Sequence, residues 1–344
     1  MYTGSFNTKI VITDNWLVEI SKIKNKVLII DSNIRLHYNE MLTPLLINTR
    51  FFEFNASESN KNLNEITKIL DFFQTENLNR SSYVICIGGG ITTDIGAFTA
   101  SIYKRGCRLI LIPTTLLGMV DASIGGKTAI NFNGIKNNIG TFYPAEKIII
   151  NTGFLKSLPE KEMKNGWAEC LKAALIKPLK LMTLLESKSI KDIDAIVREA
   201  IAIKESIVRD DLQDKGNRRI LNLGHTFGHI IESISEYQIS HGEAISVGIC
   251  AAAYISMKMN FLAELEYQQI MNLFDNFDLP VKLEQKLADK IALNGKRLLK
   301  HDKKKTEDYN FIFLRSVGDV FVYTIYEADI IFNLFIDYLK QYIH

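Results

Sequence analysis

Short apolar runs alternating with helical segments fill the first part of this 344-residue chain, and after Leu158-Pro159 they give way to long segments of helical period with few Gly or Pro. The runs at 26–31, 50–54, 83–87, 108–112 and 147–150 are rich in Val, Ile, Leu and Phe and too short for helices, so they read as strands. Segments 62–74 and 94–103 read as helices between them, and this alternation predicts a layered α/β domain over residues 1–158. Segments 161–176, 190–209, 224–235 and 242–259 predict a mostly helical second domain over residues 159–344. Within it, 309–314 and 319–323 flank Ser316-Val317-Gly318 and predict a small β-ribbon before a last helix.

The composition fits an intracellular enzyme. With 47% hydrophobic residues the chain has material for two sizeable cores. A formal net charge of +2 indicates neither nucleic acid nor an anionic membrane as a general partner. Cys86, Cys107, Cys170 and Cys250 are scattered without short paired spacings, which predicts free thiols in a reducing compartment. The N-terminus lacks a basic segment followed by an apolar core, and the longest nearly apolar stretch, 244–257, is too short to span a bilayer. A cytoplasmic protein is expected.

Gly88-Gly89-Gly90 follows the strand at 83–87 and opens a helix. Three glycines let backbone approach a phosphate closely, and the helix start offers N–H groups and the positive end of the dipole. The run is not the G-x-G-x-x-G fingerprint, so a plain tight turn remains open beside a dinucleotide cradle. Asp31 and Asn33 close an earlier strand and suit ribose hydroxyls, while Thr114 and Thr115 add hydroxyls at another strand end, where open α/β sheets bind ligands. Further on, Asp121, Lys127, Lys136 and Asn137 stand among small residues, a composition for an anionic, hydroxylated ligand. Gly125-Gly126-Lys127-Thr128 resembles the tail of a nucleotide-triphosphate loop, but Asp121 occupies the place of that motif's first glycine, which argues against it.

Three of the six histidines, His225, His229 and His241, fall within seventeen residues. His225 and His229 are four apart and share a helix face, and a polar stretch before His241 is long enough to bring a third imidazole back. Neutral imidazole is the commonest protein metal ligand, and a catalytic site also takes a carboxylate while leaving one position open. Glu169, set in the apolar helical run around Gly166-Trp167-Ala168, is the best candidate.

Taken in order, these pieces resemble the dehydroquinate synthases within the wider sugar-phosphate cyclase family. The resemblance runs from about Asp31 to Gly318. It rests on the glycine turn with Asp94, Arg105-Gly106, Pro113-Thr114-Thr115, the 120–128 segment, Lys136-Asn137, Ala168-Glu169-Cys170-Leu171-Lys172, the 221–229 segment, His241-Gly242-Glu243 and Asp302-Lys303-Lys304. Thr93 stands where many members have glycine, and Ile95-Gly96-Ala97-Phe98 replaces the usual Leu-Ala-Gly-Phe. The family implies a Rossmann-like dinucleotide-binding α/β domain followed by a mostly α-helical metal-binding domain. It implies zinc, replaceable by cobalt, on Glu169, His225 and His241, with His229 either supporting the ligands from behind or facing substrate. NAD contacts carry over to Asp31, Asn33, Glu58, Lys61, Gly88, Gly89, Gly90, Asp94, Thr114, Thr115 and Lys136, with Phe154, Leu155, Lys156 and Ser157 nearby. Substrate contacts carry over to Arg105, Asp121, Lys127, Asn137, Lys172, Lys204, Arg218, Asn222, His229 and Lys303 or Lys304.

In the family Arg105 reaches a neighbouring subunit's site, which implies a homodimer. The implied reaction converts 3-deoxy-D-arabino-heptulosonate 7-phosphate to 3-dehydroquinate and phosphate in the shikimate pathway, with NAD oxidation that is later reversed. Sister cyclases of the 2-deoxy-scyllo-inosose and 2-epi-5-epi-valiolone type act on sugar phosphates without a carboxylate, so Lys204, Arg218 and Asn222 together favour the dehydroquinate reading. Metal-dependent polyol dehydrogenases share a glycine turn and spaced histidines but have little use for so many anion ligands. A non-catalytic ligand-binding relative is the reading from a different class, and the intact ligand set argues against it.

Overall fold

The computed structural model describes residues 7–187, 192–301 and 308–341. The chain divides into two compact units, Met1–Met163 with Lys204–Gln213, and Lys164–Ile203 with Asp214–His344.

The first unit carries β1 (Lys9–Ile12), β2 (Lys26–Asp31), β3 (Arg50–Phe54), β4 (Tyr83–Gly88), β5 (Arg108–Pro113), β6 (Lys127–Phe132), β7 (Ile135–Phe142) and β8 (Lys147–Ile150). Six of these form one sheet in the order β1-β8-β5-β4-β2-β3, with every pairing parallel. Strands β2, β4 and β5 are buried at every position after the first, the mark of a parallel sheet covered on both faces. That is why they read in the sequence as continuous apolar runs. From β2 the chain moves outward to β3 and then returns to the other side of β2 as β4, so the winding direction reverses between β2 and β4. Ligands of open α/β sheets bind beyond the carboxyl ends of the strands at such a reversal. Here those ends are Asp31 and Gly88.

The helix after β4 spans Gly90–Ile102 and begins four residues earlier than its apolar period indicates, inside the glycine turn. A separate antiparallel hairpin, β6–β7, turns through Asn133 and Gly134, whose φ values of 50° and 77° are both left-handed. This is the two-residue primed turn whose twist matches a hairpin.

The second unit is mostly helical, with a two-stranded ribbon of β9 (Tyr309–Ser316) and β10 (Asp319–Ile325). The helix His241–Lys258 is buried all round for most of its length, as a central helix must be. Phe227 packs on both Phe311 and Phe335 in the core. Among the described residues no helix is long and apolar enough to cross a membrane.

Candidate functional site

The glycine turn is built for close approach. A Cβ added at Gly88 would lie 2.6 Å from Cβ of Thr92 and 2.9 Å from that of Asp31, and one at Gly89 would meet Thr115 Cγ2 at 3.0 Å. The following helix has Gly89 at its N-cap and no side-chain cap, which leaves first-turn N–H groups at the sheet's reversal point. Asp31 Oδ1 accepts from Asn33 N at 2.9 Å, and Thr92 Oγ1 lies 3.5 Å from Asp31 Oδ2. Burial pushes the Asp31 pKa up, and these hydrogen bonds only partly oppose it. Thr114 N donates to Gly88 O at 3.0 Å, and Thr115 Oγ1 accepts from Gly118 N at 3.0 Å.

Further residues of the expected set meet in the same unit. Lys61 Nζ donates to Asp94 Oδ2 at 2.5 Å and to Asn137 Oδ1 at 2.6 Å. Burial raises the Asp94 pKa, and attraction to Lys61 opposes the rise. Glu58 Oε1 accepts from Asn131 Nδ2 at 2.7 Å. Lys204, distant in sequence, belongs to this unit, where its Nζ donates to Asp121 Oδ1 and to the Asp121 carbonyl, both at 2.6 Å. Phe154 to Ser157 follow β8, with Phe154 packed on Trp16 and Tyr38 and Ser157 Oγ 2.9 Å from the Tyr38 hydroxyl. Leu155 is half-buried and Lys156 exposed on this turn. Lys127 and Lys136 lie on the β6–β7 hairpin. Arg105 is exposed in a turn where Lys104, Arg105 and Gly106 all have positive φ.

In the second unit, Glu169, His225 and His241 each offer one donor atom, all within 4.8 Å of one another. Glu169 comes from the helix Glu160–Ile176, His225 starts the helix His225–Ile234, and His241 starts the next. Their spacing is fixed by backbone packing: a Cβ at Gly248 would lie 2.2 Å from the carbonyl oxygen of Gly224. The His241 end is tied by Asn165 Oδ1, which accepts from Gly242 N at 2.7 Å, and by Glu243 Oε2, which accepts from Ser240 N at 2.8 Å. His229, on the same helix as His225, stands outside the cluster with its ring 5.6 Å from that of His225. So the pair four residues apart does not form this cluster; the imidazole that meets His225 and Glu169 there is that of His241.

The donor set is divided by its neighbours. Lys172 pairs with Glu169 Oε2, while Glu169 Oε1 faces His241 Nε2 at 3.3 Å and His225 Nε2 at 3.7 Å. His225 Nδ1 lies 3.2 Å from the Leu223 carbonyl, a contact that keeps a proton on Nδ1 and turns the Nε2 lone pair inward. Burial, then the Lys172 charge, pushes the His225 pKa down to about 3, so its imidazole is neutral. Burial also works against a charge on His241, but the Glu169 and Glu232 carboxylates outweigh it and lift its pKa to about 9. Two imidazoles and a carboxylate fit a divalent ion of zinc type.

Arg218 is buried on the turn Asn217–Asn222 that precedes His225, with Asn222 half-buried at its end. Lys303 and Lys304 lie outside the described residues. One residue escaped the sequence reading. Glu232 is buried and its Oε1 lies 3.6 Å from His241 Nδ1. Its signal was present, since His225, His229 and Glu232 are spaced by four and three on one helix face.

Comparison with known proteins bears on the chain as a whole. Residues 51–165 match the family model for the 3-dehydroquinate synthase N-terminal region, and residues 166–305 match that for the C-terminal region. The 3-dehydroquinate synthase of Saccharolobus solfataricus is 36% identical over 311 residues, covering 87% of each chain. That of Pelagibacter ubique is 34% identical over 97% of this chain and 96% of its own. Among solved structures, 2-epi-5-epi-valiolone synthase from Streptomyces hygroscopicus, with NAD+ and Zn2+ bound, superposes with a TM-score of 0.86 at 26% identity over 99% of each chain. A 2-deoxy-scyllo-inosose synthase complexed with carbaglucose-6-phosphate, NAD+ and Co2+ gives 0.81 at 25% identity, covering 95% of this chain and 96% of its own. A probable glycerol dehydrogenase from Sinorhizobium meliloti, at 14% identity and a TM-score of 0.63 over 99% of each chain, shares the fold alone. With both halves matched in order and relatives aligned over nearly its full length, the chain belongs to the 3-dehydroquinate synthase family.

Proposed function

We propose that this protein is a 3-dehydroquinate synthase, converting 3-deoxy-D-arabino-heptulosonate 7-phosphate to 3-dehydroquinate and phosphate in the shikimate pathway. The observation that carries this is the match of relatives bearing that name over most of the chain, at higher identity than the sister cyclases. The net reaction is redox-neutral, so its cofactor is returned unchanged. NAD and zinc, or cobalt in its place, supply when bound a reversible hydride acceptor and a Lewis acid.

The residues of each unit have distinct work. In the first, residues 88–90 and the uncapped helix start receive the pyrophosphate, and Asp31 and Asn33 the ribose. Glu58, Lys61, Asp94, Thr114, Thr115, Lys136 and the 154–157 turn complete the NAD contacts. In the second, Glu169, His225 and His241 hold the metal. The Lys172 contact reserves one Glu169 oxygen, leaving Oε1 for the ion. For substrate, Asp121 fixes the Lys204 ammonium in place, and Lys127, Arg105 and Asn137 add anion ligands. Lys172, Arg218, Asn222 and His229, with Lys303 or Lys304, complete the substrate set. Arg218 suits the planar carboxylate, since a guanidinium matches it with two parallel hydrogen bonds. The substrate's own phosphate serves as base for the C–H proton lost in elimination. The protein acts as a cytoplasmic homodimer, with Arg105 reaching the partner's substrate.

The test is phosphate release from the heptulosonate phosphate, glucose 6-phosphate and sedoheptulose 7-phosphate, each with NAD and zinc. Only the first is expected to react at an appreciable rate; preferential release from either of the others would assign the chain to a sister activity.

A further inference from the structure

The helix that supplies His225 also carries a buried acid aimed at the other imidazole of the cluster. Glu232 is 4% exposed and its Oε1 faces His241 Nδ1 at 3.6 Å, while His241 Nε2 faces Glu169 Oε1 at 3.3 Å. His241 therefore has a carboxylate on each ring nitrogen. Glu169 is shared with His225, and among the described residues three donor atoms come within 4.8 Å of one another on that side alone. The Leu223 carbonyl orients His225 from behind, and Glu232 occupies the corresponding place behind His241. The two supports differ in kind, because a carbonyl is neutral and a carboxylate brings a full negative charge.

We propose that Glu232 is a positioning residue for the metal centre: its carboxylate holds a proton on His241 Nδ1, so that Nε2 is the nitrogen His241 would offer to an ion beside Glu169 and His225, and adds charge that would strengthen that ligand. Two helix turns separate Glu232 from His225, so one rigid element sets a ligand and the orientation of its partner. Outer partners of ligating histidines of this kind change metal affinity by about 10–100-fold when removed. The inference rests on the reading of Glu169, His225 and His241 as the metal ligands.

The experiment measures zinc affinity by competition with a chromophoric chelator in the metal-free full-length protein, for wild type, Glu232→Gln, Glu232→Ala and His241→Ala. Visible spectra of the cobalt-loaded forms and melting of the metal-free forms accompany it. Glu232→Ala is expected to weaken zinc by about 10–100-fold. Glu232→Gln keeps the volume and one acceptor oxygen, so it should recover part of that loss, with a shifted cobalt spectrum and metal-free melting close to wild type. If both Glu232 variants hold zinc as tightly as wild type while His241→Ala has lost it, Glu232 has no such role. If Glu232→Gln weakens zinc only in proportion to lower metal-free stability, the role is structural and the proposal fails. Full zinc binding by His241→Ala would instead overturn the ligand assignment beneath it.

Discussion

The glycine turn of the first unit and the histidine cluster of the second place their ligand-facing groups by opposite means. Around Gly88 the chemistry lies in what is left out: no Cβ, no side-chain cap, and backbone N–H groups at the end of a parallel strand. Around Glu169 it lies in side chains, three donors converging from three helices, each fixed by a neighbour of its own. A backbone cradle tolerates changes in nearby side chains but not an added atom at its glycines. A side-chain cluster is the reverse, insensitive to small packing changes but lost with one imidazole. If each set serves one ligand, single substitutions should separate the two functions.

The largest effect is expected at His241. Replacing it by Ala removes a metal ligand, and the loss of metal affinity should exceed the roughly 100-fold upper range for outer-sphere residues. Metal analysis of the purified variant checks this, and NAD binding measured by calorimetry should be unchanged. Loss of NAD binding alongside the metal would mean that the two functions are not separable in this way.

Gly88→Ala is the converse. Its Cβ would lie 2.6 Å from Thr92, so the turn must shift, at about 1–3 kcal/mol for overpacking. NAD affinity should fall by roughly 5- to 150-fold, with metal content at the wild-type level. Wild-type NAD affinity would show that the turn is not the cofactor cradle.

A smaller effect on stability is expected from Lys61→Met, which strands Asp94. Asp94 keeps 19% of its side-chain exposure, so the cost is about 1–2 kcal/mol, below that of a wholly buried charge. Its pH dependence has a definite sign. Burial raises the Asp94 pKa in the folded state, so its charge carries a penalty above that pKa, relieved as pH falls through it toward the ordinary value. Removing Lys61 enlarges the penalty, and denaturation in urea should show the variant most destabilised near neutral pH and approaching wild type in acid. A pH-independent deficit would mean that the loss comes from packing.

The same contrast explains what was legible in the sequence. Strands β2, β4 and β5 are visible because central parallel strands covered on both faces demand unbroken apolar residues, and the long helices because each has a single buried face or none exposed. The hairpin β6–β7 lacks the unbroken apolar pattern of the central strands, because polar residues including Lys127, Lys136 and Asn137 interrupt it. Asn133-Gly134 marked the turn nonetheless. The three donors were legible from residue type, but helix spacing alone favours His229 as the partner of His225; the family resemblance pointed instead to His241, which the tertiary fold brings beside His225. Lys204 joins the first unit from a helix that starts at Ile193, a placement that no local pattern encodes.

The central claim is that the chain catalyses a redox-neutral conversion with a recycled cofactor. It is tested most directly by following phosphate release from 3-deoxy-D-arabino-heptulosonate 7-phosphate with zinc and NAD supplied at one equivalent of enzyme, while monitoring NADH absorbance. Many phosphates released per NAD, with no accumulation of NADH, are expected. Release that stops at one phosphate per NAD, with NADH building up in step, would contradict it and mark the protein as a dehydrogenase.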